Sequence, residues 1–375
     1  MINIKETFLT LTKRRYPKGD EGLAMELVKN MLPDVDFTKD EFDNYYTYIP
    51  KADGTDSDTM FTSHLDTVNS GPYTVYNAGK KWCTTEKKYV DDPDYKGKLD
   101  DLSITHVMDG DFVKTDGESN LGADDKAGVT VMMNMISEKV PGLYYFFMGE
   151  ESGCIGSSNL SRVFESKKEF PKINKCIAFD RRGYDSIITE QTGVCASDEF
   201  AKELASRFNE YGFWFKPDST GVYTDTAEFT DIIPECSNIS CGYFSEHTKS
   251  EKQDLEFLEL LGIVATQIDW ETLPIVRDKD SVYKGKKSKY RSYGNWNNWD
   301  DEYGWDGYTG TGGRGAHYPA KHKSKSKTDT SSSITTYEDN GDGNLTEINK
   351  SPNPSTDFDF DKWYGEQKTK SWDNK

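Results

Sequence analysis

The sequence predicts an α/β domain with a mostly parallel central sheet over residues 1–280 and a low-complexity tail over residues 281–375. Three observations carry this. Short apolar runs alternate with helix-periodic segments through the front part. Residues 281–375 contain only four of Val, Ile, Leu or Met (Val282, Ile334, Leu345, Ile348), too few for an aliphatic core. Each expected strand is followed by a carboxylate or an imidazole, and parallel sheets place their chemistry at the carboxyl ends of strands.

The strands come in order. Met60-Phe61-Thr62-Ser63, Leu143 to Met148, Cys176-Ile177-Ala178-Phe179 and Ser237 to Cys241 read as buried strands, each closed by polar or Gly-containing residues. Helices are expected between them. Ala127 to Glu138 is apolar on more than one side, and Glu199 to Glu210 is amphipathic. Leu255, Leu258, Leu261, Ala265 and Ile268 share one stripe of a long helix, with Ser250 and Gln253 in capping-box spacing before it.

Composition removes several function classes. The chain has 46 Lys+Arg against 65 Asp+Glu, a net charge of -19. The tail takes 15 of the bases and 14 of the acids, which leaves the front part at 31 against 51, a balance of -20. A body this acidic repels phosphate backbones, so no nucleic acid is expected on the main domain. No stretch approaches the ~20 apolar residues of a membrane span, and the N-terminus lacks an apolar signal core. Six dispersed cysteines without C-x-x-C spacing suit a reducing compartment. A soluble cytoplasmic protein is the expectation.

The polar residues at the strand exits fit metal-assisted hydrolysis. Such a site needs neutral imidazoles and carboxylates, one carboxylate shared by two cations, and a nearby base. His64 and Asp66 point to the same side of an extended strand end, so Asp66 can hold the far nitrogen of an imidazole. Adjacent Glu150 and Glu151 cannot both face one metal in regular structure. One can ligate while the other takes a proton.

Five motifs then carry a family resemblance over roughly residues 55–275. Ser63-His64-Leu65-Asp66-Thr67-Val68, Thr115-Asp116-Gly117 leading into Leu121-Gly122-Ala123-Asp124-Asp125-Lys126-Ala127-Gly128, Gly149-Glu150-Glu151-Ser152-Gly153, Ala178-Phe179-Asp180 and Ser245-Glu246-His247-Thr248-Lys249-Ser250-Glu251 resemble, in order, those of co-catalytic zinc exopeptidases of the peptidase T type. The resemblance implies a three-layer zinc-exopeptidase-like α/β domain. It implies His64, Asp124 and Asp180 on one zinc, Asp124, Glu151 and His247 on the other, Glu150 as general base and Asp66 behind His64. Cobalt or manganese can take similar sites. Asp rather than Glu at position 180 goes with aminopeptidases and dipeptidases. Gly221 to Thr226 is similar to a substrate-side loop of the family, which makes Thr224 and Asp225 candidate substrate contacts. Family members insert a lid and dimerisation domain of about a hundred residues between the ligands matching Asp180 and His247. Here those two are 67 positions apart. The lid is therefore expected to be absent, and tripeptide specificity is not implied.

Other residues take plainer readings. Asp125 sits where a helix needs a cap, and that reading is favoured over a metal role. His106 lacks partner acids at ligand spacing, and Cys154 beside the expected base is read as packing. Residues 72–114 can form a small insert near the cleft. His317, His322 and the basic run Lys321 to Lys327 are expected to be solvated. Glu338 to Asn349 resembles part of a calcium loop without its closing acid and is read as a solvated loop. Residues 290–318 interleave Trp296, Trp299, Tyr303 and Trp305 with Asn and Gly, a composition expected to be disordered and able to hold a protein partner.

The reading is a metallopeptidase acting on short peptides, an aminopeptidase or di/tripeptidase. Two alternatives stand beside it. The same site could cleave N-acyl amino acids or other small amides, or the chain could be a silent scaffold that binds a partner through its tail.

Overall fold

The computed structural model describes residues 1–68, 80–83, 88–91, 102–280, 337–339 and 345–347. The tail segment 290–318, His317, His322 and the basic run lie outside the described residues. Internal contacts divide the chain into two units, Met1–Val282 with Asp357–Lys375, and Tyr283–Thr356. In the larger unit the elements are α1 (Ile4–Leu11), α2 (Glu21–Met31), β1 (Thr38–Lys39), β2 (Tyr45–Ile49), β3 (Thr59–His64), β4 (Lys80–Cys83), β5 (Lys88–Asp91), β6 (His106–Asp109), β7 (Phe112–Thr115), α3 (Ala123–Ser137), β8 (Gly142–Phe147), α4 (Ile155–Ser161), β9 (Lys175–Arg181), β10 (Ser186–Ile188), α5 (Asp198–Asn209), β11 (Lys216–Asp218), β12 (Glu235–Ser240), β13 (Tyr243–Phe244), β14 (Lys252–Asp254) and α6 (Leu255–Val264).

Eight strands form the main sheet in the order β1-β2-β8-β3-β9-β12-β10-β11. Its four middle strands, β8, β3, β9 and β12, run parallel, as the buried apolar runs predict. Pleating sends alternate side chains to opposite faces. Phe61, Tyr144, Phe146, Ile177 and Phe179 pack with residues of α1, α3, α5 and α6, while Met60, Leu143, Tyr145, Phe147 and Cys176 pack with Leu160, Phe164 and Phe229. Helices on both faces make the architecture three-layered. Each fully buried aromatic or aliphatic side chain contributes about 1.5–3 kcal/mol of transfer free energy.

α3 crosses the sheet closely and is buried from Ala123 to Ile136. The absence of a side chain at Gly128 permits this. A Cβ there would fall within 3.0 Å of the Phe179 carbonyl oxygen, Ser63 Oγ and Asp125 Oδ1. Asn134 Nδ2 donates to Gly262 O at 2.9 Å and so ties α3 to α6.

A second sheet, β13-β14-β7-β6, is antiparallel throughout. Residues 106–114, part of the segment expected as an insert, thereby join the stretch that carries His247. Earlier in that segment β4 and β5 form a hairpin with Trp82 opposite Tyr89. This sheet also corrects the expected start of α6. Gln253 lies in β14, paired with Val113, so Ser250 and Gln253 form no capping box. Asp254 caps α6 instead, accepting from Phe257 N at 3.0 Å.

Among the described residues no helix is long and apolar enough to cross a membrane. In the second unit, Tyr337–Asp339 and Leu345–Glu347 form an antiparallel hairpin with Tyr337 opposite Glu347. The loop reading of residues 338–349 is corrected to that extent.

Candidate metal centre and active-site cleft

Register brings the chemistry to one edge. His64 pairs with Phe147 at the parallel ends of β3 and β8, so Glu150 and Glu151 follow immediately beyond His64. Gly149, at φ 69°, supplies the left-handed turn out of β8. Asp180 lies near the end of β9, and its backbone is fixed by Asn238 of β12, which accepts from Asp180 N and donates to Asp180 O, both at 2.8 Å.

Each side chain is held by others. Asp66 Oδ1 lies 3.3 Å from His64 Nδ1. The same carboxylate accepts from Glu150 N and Glu151 N, each at 3.0 Å. One residue thus positions an imidazole and the turn that carries both glutamates. Asp125 accepts from Gly128 N at 3.2 Å and from His64 N at 3.1 Å. It caps α3 and pins the end of β3. Lys126 is buried, donates to Leu65 O at 2.7 Å and Asp66 O at 3.2 Å, and places a cation behind Asp66. Asp180 accepts from Thr224 Oγ1 at 2.7 Å and Tyr243 OH at 3.1 Å.

These contacts leave a compact cluster. His64 Nε2 stands 2.9 Å from Asp124 Oδ1 and 3.8 Å from Asp180 Oδ1. His247 Nε2 stands 3.1 Å from Asp124 Oδ2 and 3.1 Å from Glu151 Oε1. His247 occupies the left-handed region at φ 61°, unusual for a residue other than glycine. Ligand atoms at about 2 Å from one tetrahedral cation lie about 3–3.5 Å apart, so these separations suit shared cations. His64, Asp124 and Glu151 offer atoms within 4.8 Å of one another, as do His64, Asp125 and Asp180. Asp125 already uses both oxygens on backbone N–H groups, which favours Asp124 as the ligand. Glu151 Oε1 is buried and makes no hydrogen bond within the described residues beyond its ion-pair distance to His247. The donor set fits divalent cations bound by nitrogen and oxygen.

The electrostatics follow from crowding buried charges. Burial and neighbouring carboxylates push the Glu150 and Asp180 carboxyls well above the usual range, and Glu151 also rises. Burial opposes charge on the imidazoles, but adjacent carboxylates outweigh it. His64 is held well above its ordinary value by Asp124 and Asp66, and His247 is pushed to about 11 by Asp124 and Glu151. Asp124, between two imidazoles, stays ionised against its own burial.

The cluster opens into a cleft of about 290 Å³ lined by Asp124, Glu150, Glu151, Asp180, Glu246 and His247, with Arg181 and Arg182 beside them. Thr224 is on its wall. Asp225 is buried and accepts from Ser157 Oγ at 2.5 Å. Cys154 is buried with Sγ 3.5 Å from Glu150 Oε1, and burial pushes its thiol far up, so it is no thiolate. His106 lies elsewhere, its Nε2 3.0 Å from Thr12 O, and burial lowers its pKa. A second cavity of about 220 Å³ near the start of α5 shares none of the cluster residues.

All seven residues given metal or catalytic roles by the sequence resemblance therefore meet at one place. Sequence reasoning passed over Glu251, Lys126 and Tyr243. Glu251 is buried, and its carboxylate accepts from Leu121 N at 2.7 Å, Gly122 N at 2.8 Å and Asp124 N at 3.1 Å. An acid four positions after His247, and a lysine directly after two acids, were the available signals.

No family model matches the chain. A Bacillus subtilis protein, YqjE, itself uncharacterized, is 36% identical over 101 residues, 24% of this chain and 27% of that one. The matched stretch thus spans about a quarter of that relative. Among solved structures, the TET1 peptidase of Pyrococcus horikoshii is 17% identical with a TM-score of 0.51, covering 70% of this chain and 98% of that chain. Aminopeptidase PepT of Bacillus cereus is 16% identical with a TM-score of 0.51, covering 70% and 96%. An aminopeptidase of the archaeon Desulfurococcus kamchatkensis is 16% identical with a TM-score of 0.51, covering 76% and 98%. The chain shares the α/β fold of these peptidase structures.

Proposed function

We propose that the chain is a metal-dependent peptide hydrolase, an aminopeptidase that removes the N-terminal residue of short peptides with two zinc ions. The observation that supports this most is Asp124, whose two oxygens face His64 and His247 separately. A carboxylate shared between two cations needs that arrangement. The fold likeness to solved aminopeptidases supports the same reading.

His64, Asp124 and Asp180 would hold one ion, and Asp124, Glu151 and His247 the other. When bound, the ions would acidify an attacking water and polarise the scissile carbonyl. Glu150, beside the ligand Glu151 on the cleft wall, accepts the water's proton and returns it to the leaving amine. Asp66 keeps His64 in one orientation and holds the Glu150 turn against the cluster. Thr224 and Tyr243 fix the Asp180 carboxylate. Glu246 is the lining carboxylate left outside the ligand and base set, 3.0 Å from Arg182, and the preference for unblocked peptides rests on the fold likeness to solved aminopeptidases. Cys154, Cys176, Cys195, Cys236 and Cys241 are buried and free, which supports work in a reducing compartment such as the cytoplasm.

Replacing Glu150 by Gln removes the base with little change in shape. We expect kcat on unblocked dipeptides to fall about 10²–10⁴-fold, the usual contribution of general acid–base catalysis, with thermal stability kept. Wild-type kcat in the E150Q variant would reject the mechanism. Release of an acyl group from N-blocked substrates, without release of free N-terminal residues, would favour amide hydrolysis on the same site.

A further inference from the structure

One loop serves both halves of the cluster. Residues 245–251 connect β13 to β14, offer His247 to the cleft, and end on Glu251. The Glu251 carboxylate is buried and accepts three backbone N–H groups from the segment that delivers Asp124. Among the described residues, no other side chain accepts from those three groups. Its far end is fixed because the next residues, Lys252–Asp254, pair with Lys114, Val113 and Phe112 of β7. Gly122, at φ 75°, lets the delivered segment bend so that its N–H groups converge on one carboxylate.

We infer that Glu251 is a positioning residue that sets the affinity for both cations together, by holding Asp124 where its two oxygens divide between His64 and His247. The inference rests on the metal-hydrolase reading. Convergent N–H donors need an acceptor, and an acid supplies two oxygens for three donors at 2.7–3.1 Å. Glutamine keeps the size but turns one acceptor into a donor facing N–H groups, so the segment must shift and Asp124 shifts with it. Tyr243 provides the contrast. It donates to Asp180 alone, 3.1 Å away, and acts on one cation position only.

The test is direct cation binding, by titration calorimetry of chelator-treated full-length protein with Zn²⁺ and no substrate. E251Q is expected to weaken both cation sites about 10–100-fold, the usual cost of losing a group that orients a ligand. Y243F should weaken one site. Q253A is the structural control. Gln253 is buried next to Glu251 but bonds Cys241 O and Asp254 O, so its loss should lower the unfolding midpoint without moving either affinity. Wild-type affinities in E251Q, or equal affinity losses in Q253A, would overturn the inference. If E251Q does not fold, E251D is read by the same criteria, and if neither folds the residue is structural and the inference falls. A wild-type protein that binds no cation would instead remove the metal-hydrolase reading itself.

Discussion

At the scale of single residues, the cluster crowds buried carboxylates and His64 against the exposed imidazole of His247, a donor set that fits cations. His247, pushed to about 11, and His64, held well above its ordinary value, both carry protons at neutral pH in the metal-free protein. An imidazole must be neutral to ligate, so cation binding has to expel those protons. The sign is fixed. Below about pH 11 affinity rises with pH, by about tenfold per unit for each proton released. Calorimetry at pH 7 in buffers of different ionisation enthalpy should count at least one proton released per cation, and none would contradict the charge assignment. The acids and imidazoles that gather here were legible in the sequence because they stand at strand ends in motifs that resemble a known order; their roles as ligands and base are proposals. Glu251 and Tyr243 were not legible as functional, because their work is to hold backbone or another side chain, and many residue types do that in other folds.

At the scale of elements, the four middle strands β8, β3, β9 and β12 and helices α3 and α5 could be read from apolar runs and periodicity, while β1, β2, β10 and β11 were not read. The start of α6 could not. Ser250 and Gln253 have capping-box spacing, but pairing of Lys252–Asp254 with β7 takes those residues into a strand and hands the cap to Asp254. Long-range pairing overrode a local signal. The helix α3 gives a measurable case of the same competition. Alanine is favoured over glycine in a helix by about 1 kcal/mol, yet a Cβ at Gly128 meets Phe179 O, Ser63 Oγ and Asp125 Oδ1 within 3.0 Å. Overpacking costs about 1–3 kcal/mol, and Asp125 also pins His64. Gly128→Ala should therefore destabilise the protein by about 0–2 kcal/mol in urea unfolding, the overpacking cost less the helix-propensity gain. A more stable variant would mean that α3 does not approach the sheet as described.

At the scale of the whole molecule, the acidic surplus of residues 1–280 gains a partial meaning. Asp124, Glu151 and Asp180 would be offset by bound dications, Glu150 is the proposed base, and Glu246, the fifth acid on the cleft wall, is paired with Arg182. A tail beginning near residue 281 remains an expectation, drawn from a segment whose four large aliphatic residues cannot build a core. Which parallel strands meet at one edge was not, since the order β8-β3-β9-β12 depends on crossovers that no local pattern encodes. The central claim is that this edge gathers a pair of cations that drives hydrolysis of unblocked peptides. Its most direct test is to titrate chelator-treated protein with Zn²⁺ while following release of the N-terminal residue from a free dipeptide. The account predicts no hydrolysis without metal and full recovery at two equivalents per chain. Full hydrolysis in excess chelator would contradict it.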